Sequence, residues 1–324
     1  MITEKDDLLH EPDSLENYSW TETNYFCFCI PEEGMNGEIY ALFRPNLKVV
    51  LSGVWIWKGF IQNPNQAEFM DHRVHLPMPE GNLDNYSLAN GLSVKILEPL
   101  KKYQVDYNSG TGTEVHLTFD ALMPPFDIHD PKINPLASDR RGALKGVFMG
   151  HLDQAGEVKG ELVLNGKKYT IDHPNTRDHS WGPRPETGLG GPMQWDCGHF
   201  GNDFAFHIIA KAERNFRDTN LVHGYILEDG KVYGLVKGRG ETVREGYEQR
   251  KINYELIDVR GKTFKFHGKA VSLYPWAAWP NVCIYTSLTE WEYEGRTGFG
   301  DAQHPFPISY VRRRNEMNKT SSEG

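Results

Sequence analysis

The chain has 324 residues, of which 39% are hydrophobic and 12% aromatic, and carries a formal net charge of −9. That balance excludes the Lys/Arg stripe by which a protein holds a nucleic-acid backbone, and it disfavours an anionic membrane surface equally. No apolar run approaches the roughly 20 residues that span a bilayer. The start Met1–Asp7 lacks a basic-then-apolar leader, so the chain is expected in the cytoplasm, with Cys27, Cys29, Cys197 and Cys283 as reduced core thiols.

Taken in chain order, the sequence reads as short strands separated by turns. Leu92–Tyr107 is interrupted by Pro99 and predicts two short strands around a turn rather than a helix. Glu114–Phe119 alternates, placing Val115, Leu117 and Phe119 on one face. Asp120–Arg141 holds four prolines and no strand pattern, and reads equally as a lid or as a stiff connection. Asn165-Gly166 and Asp229-Gly230 each separate two alternating runs, the signature of a tight hairpin turn. Gly201-Asn202 and Arg260-Gly261 are further turn signals. The Pro- and Gly-rich stretch from Pro183 to Pro192 marks a boundary, giving an N-terminal domain over 1–185, a C-terminal domain over 186–311 and a solvated tail over 312–324. Many short strands with regular turns predict an all-β fold of two antiparallel barrel or sandwich domains.

The densest chemistry lies in Arg177-Asp178-His179-Ser180-Trp181-Gly182-Pro183-Arg184. On a strand, Asp178, Ser180 and Gly182 share one face, and Arg177, His179 and Trp181 the other. If the first face lines a cavity, it offers a carboxyl whose pKa rises in a dry site; if the second does, it offers a cation, an imidazole and an indole wall. An acid beside an aromatic wall is what adding water to an isolated double bond requires. The structural alternative makes Arg177 and Asp178 a buried ion pair and Trp181 ordinary core. Further on, Trp195, Cys197 and His199 share a face, and Tyr274–Pro280 is an aromatic loop that caps a cavity or plugs a gap between strands. The histidines near Asp127–Asp130, and His72 with His75, lack a recognised ligand spacing, so no metal is expected. No phosphate-binding Gly loop or Gly-x-Ser-x-Gly elbow occurs, so no cofactor is expected either.

The run Arg177–Arg184 closely resembles the signature of the AttH and carotenoid-hydratase-like superfamily, hydroxyneurosporene synthase and its relatives. Asn24-Tyr25-Phe26 through Trp55-Ile56-Trp57 resembles that family's first strands, and Trp291–Gly300 its closing strand. The resemblance implies two lipocalin-like domains packed together and hydrophobic substrates handled without a metal. Carotenoid hydratases are typically longer, so a carotenoid substrate does not carry over.

The functional expectation is therefore a cofactor-independent lyase, hydratase or isomerase acting on a hydrophobic small molecule in a barrel cavity: a terpenoid, a steroid or an aromatic from plant polymers. Asp178, His179 and Arg177 are the candidate catalytic residues, and Trp181, Arg184, Trp195, His199 and Trp276 the candidate binding residues. The alternative is a lipocalin-like carrier that transforms nothing. The expected partner is a small hydrophobic substrate; nucleic acid and a membrane span are not expected, and a homodimer is left open.

Overall fold

The computed structural model describes residues 1–137, 148–186, 190–277, 279 and 281–322, with 317–322 described by backbone alone. The strands are β1 (Trp20–Ile30), β2 (Met35–Arg44), β3 (Val49–Lys58), β4 (Phe69–Pro77), β5 (Asn85–Ser87), β6 (Leu92–Glu98), β7 (Lys102–Asn108), β8 (Glu114–Ala121), β9 (Phe126–Asp127) and β10 (Gly150–Leu164). They continue as β11 (Lys167–Asp172), β12 (Asn175–Pro183), β13 (Met193–His199), β14 (Phe204–Ala212), β15 (Asp218–Glu228), β16 (Lys231–Glu245), β17 (Glu248–Asp258), β18 (Thr263–Trp276), β19 (Val282–Tyr293) and β20 (Arg296–Pro307). Among the described residues, β1–β12 form one antiparallel sheet in the order β4-β3-β2-β1-β12-β10-β8-β7-β6-β5, with β11 and β9 also paired to β10. Strands β13–β20 close into a barrel. The change of sheet falls between Pro183 and Met193.

Local chemistry explains the turns. Asn165 and Gly166 both take positive φ, 52° and 78°, and join β10 to β11; Asp229 and Gly230, at 50° and 71°, join β15 to β16. Two positive φ values in succession give the primed turn whose twist matches paired strands. Leu92–Tyr107 forms β6 and β7, as Pro99 requires.

The sheet curls on itself, so that Phe43 of β2 meets Tyr86 of β5 edge-on at 5.3 Å. Its concave side holds a core that includes Phe26, Tyr103, Val105, Leu117 and Phe119. The barrel lumen is filled by rings: Phe206 stacks on Phe266 at 4.1 Å, and Trp291 meets Phe206 edge-on at 4.9 Å. Each ring buried there stabilises the fold by roughly 1.5–3 kcal/mol, and the expectation of a ligand cavity inside a barrel is corrected to a cleft on the barrel's outer wall, between it and the sheet.

Two further expectations meet the structure here. The described part of the Pro-rich segment acts as a connection: β9 pairs with β10, and Phe126 packs on His223 and Tyr225 of the barrel at 5.4 and 5.0 Å. Residues 138–141 of that segment lie outside the described residues. The C-terminal stretch, expected as a solvated tail from Arg312, is instead helix α1 (Ile308–Ser322). Tyr310 stacks on Phe216 and Phe306, and the Arg314 guanidinium lies 3.7 Å from the Phe216 ring centre, so aromatic contacts hold its first turns. Among the described residues, no helix is long and apolar enough to cross a membrane.

The convex face of the sheet packs on the barrel wall. Tyr25 of β1 meets Trp195 and Trp276 at 5.7 and 6.2 Å. A polar seam runs beside them: the Tyr25 hydroxyl and the Asn36 amide each donate to Asp301 at 2.5 Å, and the Thr286 hydroxyl donates to Glu38 at 2.6 Å. Burial raises both the Glu38 and the Asp301 carboxyl pKa, against the hydrogen bonds that Thr286, Tyr25 and Asn36 donate to them.

Candidate functional site between sheet and barrel

Strand β12 carries the dense run, and its neighbours decide which face matters. Asp178 lies opposite Tyr25 of β1 and Asp153 of β10, and Ser180 opposite Thr23 and His151. This face is the convex one, turned to the barrel. Two glycines shape the strand's end. Gly182 has φ +134°, and a side chain there would meet the Met149 backbone nitrogen at 2.7 Å. A Cβ on Gly150 would lie 2.0 Å from the Trp181 ring. Gly182→Ala should therefore cost roughly 1–3 kcal/mol of stability, the strain of an unfavourable backbone region, read as a lower melting temperature. An unchanged melting temperature would contradict the strain.

A cleft opens where this face meets the barrel. Its polar wall is Tyr25, Tyr40, His151, Asp178, Ser180 and Arg184. Trp195, Trp276, Trp279, Ile209 and Ile284 supply the apolar wall. The cleft encloses about 650 Å³ including its open mouth, and the centres of water molecules can occupy about 70 Å³ of it. A larger groove, about 1530 Å³ including its open mouth, runs over β15–β18, lined by Glu213, Arg239, Glu241 and Lys265. Charges along it pair with one another in the open, as in Arg239–Glu255 at 3.3 Å, and the hydroxyl of its buried Tyr254 is already engaged by Gln194 and Asp196.

Asp178 is the unusual group of the cleft. Its carboxyl is partly open to the cleft, yet among the described residues it has no hydrogen bond or ion pair. Burial raises its pKa; the charges of His151 and Arg184 pull the other way without reversing the shift. Arg184 is the second unusual group. It is 8% exposed, and one Nη donates to the Ser180 hydroxyl. Its guanidinium carbon lies 4.8 Å from the Phe148 ring centre and 4.5 Å from that of Trp279. Burial lowers its pKa, and the nearby Tyr40 hydroxyl is pushed up to about 12.

Behind the cleft, Asp153 gathers three imidazoles. His151 and His223 bond its Oδ2 through Nε2 at 2.9 and 3.0 Å, and the His207 Nε2 lies 3.0 Å from the same oxygen. Trp195 donates its indole N–H to Oδ1 at 2.9 Å. Burial alone would raise the Asp153 pKa, but His151 and His207 hold it well below the usual range. Burial also works to lower His151, and the Asp153 carboxylate raises it overall. His223, by contrast, is pushed down to about 4 by burial. Asp153 and His151 are thus hydrogen-bonded at the cleft wall, 2.9 Å apart. His151, Asp153 and His223 are close enough to share a metal ion, as are His10, Glu22 and His179. In both groups the imidazoles are hydrogen-bonded to the carboxylate, a convergence drawn from separate segments of the chain that no ligand spacing in the sequence announces.

The structure brings together four of the residues singled out from sequence: Asp178, Arg184, Trp195 and Trp276. It separates the others. Arg177 turns into the concave core, where it bonds Gln154 at 3.0 Å, Tyr103 at 2.6 Å and Asp7 at 3.3 Å. Its ion-pair partner is therefore Asp7, not Asp178. His179 bonds the buried Glu22 at 2.7 Å, and Trp181 stacks on His10 at 3.8 Å, so both hold the N-terminal segment. His199 is buried against Thr176, 3.0 Å from its hydroxyl, and burial lowers its pKa well below the usual imidazole value. The physical reason is strand alternation: one face of β12 meets the barrel, and the other meets the core. An apolar dye bound in the cleft should therefore quench emission from Trp195. Trp195→Phe should remove the Trp195 share of that quenching, leaving that of Trp276 and Trp279, and Trp181→Phe should remove none; equal losses would contradict the assignment of faces.

Sequence reasoning passed over Tyr25, Tyr40 and His151. His151-Leu152-Asp153 carries a readable signal, two ionisable groups two apart on a strand and hence on one face. The aromatic loop offered Trp276 and Trp279, and both line the cleft.

The domain of unknown function DUF7064 matches residues 3–308. The chain belongs to that family. No curated protein sequence matches it. Among solved structures, the DUF7064 chain is similar to CghA, with a TM-score of 0.60 at 10% identity over 93% of each chain. Kievitone hydratase from Nectria haematococca superposes with a TM-score of 0.52 at 11% identity, over 91% of this chain and 90% of that one. A Nitrosomonas europaea protein assigned as AttH gives 0.58 at 9% identity, over 88% and 91%. At these identities the likeness establishes a shared fold, that of the AttH-like proteins with their lipocalin-like halves.

Proposed function

We propose that this DUF7064 protein is an acid–base enzyme that adds water to, or removes it from, an apolar small molecule held between sheet and barrel, with Asp178 as the proton donor and acceptor. One observation carries the reading: Asp178 presents a desolvated carboxyl to the cleft and has no hydrogen-bond or ion-pair partner among the described residues. A buried acid with its pKa raised is poised to give a proton, and a structural carboxylate would be paired.

The step balances within the cleft. The Asp178 carboxyl transfers its proton to one carbon of a double bond, and the π electrons form the new C–H bond. Positive charge appears on the other carbon, beside the Trp195 and Trp276 rings, whose faces stabilise a cation. Water adds there, and the resulting oxonium returns its proton to the Asp178 carboxylate. Dehydration is the reverse. Trp195 is held in place by its hydrogen bond to Asp153, so the wall is preorganised. The hydratase named among the structural neighbours supports this class of reaction.

The test is isotopic. Incubating the protein in ¹⁸O-labelled water with a panel of apolar alkenes and tertiary alcohols should yield at least one product carrying the heavy oxygen. Ligands that bind in the cleft and are released unlabelled and unchanged would make the protein a carrier.

A further inference from the structure

Arg184 is a buried cation with the Tyr40 hydroxyl beside it and no carboxylate partner among the described residues. Its backbone N–H is fixed by the Ser19 carbonyl at 2.7 Å, so the residue is firmly placed. Of its three side-chain nitrogens, one Nη donates to Ser180, while Nε and Nη1 are buried with no acceptor among the described residues. Among the described residues no carboxylate lies within ion-pair distance of it: Asp178 lines the same cleft without an ion pair, and Glu186 pairs with Arg44 instead, at 3.9 Å. A buried guanidinium lacking acceptors is costly, and it persists where a ligand supplies them.

We propose that the ligand of this cleft carries a carboxylate, and that Arg184 is its receptor. The inference rests on the reading of this cleft as the functional site, but not on the reaction assigned to it. The choice of anion follows from shape and charge. With Phe148 and Trp279 packed on the guanidinium, its rim N–H groups remain for the ligand, and a flat carboxylate matches a rim. His151 is already matched by Asp153, which leaves Arg184 as the one unmatched cation among the described wall residues. A monoanion balances it, whereas a phosphate brings surplus negative charge toward Asp178. The rest of the ligand is apolar, because Trp195, Trp276, Ile209 and Ile284 line the remaining wall. The substrate class is thus an apolar acid, its carboxylate at Arg184 and its reacting bond toward Asp178. Placing the anion at Arg184 also makes loss of the Asp178 proton harder, which keeps that group in its acid form.

A matched pair of probes tests this: 2-naphthoate and its neutral amide, 2-naphthamide, titrated against the intact protein by calorimetry and by quenching of tryptophan emission. Wild type should bind the carboxylate about 10- to 100-fold more tightly than the amide, the worth of a hydrogen bond to a charged group. Arg184→Met should abolish the preference while leaving naphthamide affinity within about threefold. Arg184→Gln, which keeps polarity, serves if the Met variant does not fold, and should lose the preference too. Equal wild-type affinities, no saturable binding of naphthoate up to millimolar concentration, or a preference that survives in either variant would overturn the proposal. Asp178→Asn should retain it. A carboxylate preference without ¹⁸O incorporation would therefore refute the hydratase reading alone, and incorporation without the preference would refute the receptor alone.

Discussion

Asp178→Asn should fold normally, bind ligand, and lose about two to four orders of magnitude in turnover, the usual size of a general acid/base contribution. The amide keeps the shape of the carboxyl and cannot deliver its proton. Stability sharpens the expectation. Burial raises the Asp178 pKa in the folded state, so the folded protein holds this proton more tightly than the unfolded chain. Stability therefore falls as pH rises from the unfolded value of about 3.9 through the folded one, and the penalty is fully present above it. The Asn variant has no such penalty. Near neutral pH it should melt at the same temperature as wild type or higher, the pattern of a residue kept for function at the expense of stability. Melting temperature and turnover measured on one sample check both halves. A variant that melts lower and loses activity only in proportion would make Asp178 a structural group.

Asp7→Ala should give the opposite pattern. Asp7 sits in the N-terminal segment with 2% exposure, offers both carboxylate oxygens to the Tyr103 hydroxyl at 2.7 Å, and pairs through Oδ1 with Arg177 at 3.3 Å. Its other oxygen accepts the Leu100 backbone N–H at 2.6 Å. Removing this carboxylate leaves the Arg177 guanidinium buried at 1% exposure with Gln154 and Tyr103 but no countercharge. Breaking such a pair costs roughly 3–5 kcal/mol. Urea unfolding should show that loss, while the folded fraction keeps its turnover, because Asp7 and Arg177 lie on the far side of the sheet from the cleft. A loss of turnover with stability intact would return Arg177 to the chemistry.

The contrast between these two variants marks what the sequence reveals. Local features are legible: Asn165-Gly166 needs only its own backbone preferences to make a turn, and alternation alone separates Asp178 and Ser180 from Arg177 and His179. Which of those faces lines the cleft is not legible, because the answer depends on the barrel, whose covering residues Trp195, Trp276 and Ile284 come from distant strands. The Asp153 cluster is hidden for the same reason: its imidazoles come from β10, β14 and β15, and no ligand spacing within one strand announces them. The barrel lumen was expected to hold the ligand because an alternating strand does not say how large its inward residues must be; Phe206, Phe266 and Trp291 fill it. Helix α1 escaped notice because its sequence is mostly polar, and what fixes it is the contact of Tyr310 and Arg314 with Phe216.

The most direct test of the central claim follows the Asp178 carboxyl itself. Protein carrying ¹³C at the aspartate side-chain carboxyls can be titrated by nuclear magnetic resonance, with Asp178→Asn assigning the signal by its disappearance. The account predicts that the Asp178 signal protonates above the ordinary value of about 3.9 and shifts further upward when 2-naphthoate occupies the cleft. An Asp178 signal that titrates at or below the ordinary value, unmoved by the ligand, would contradict it.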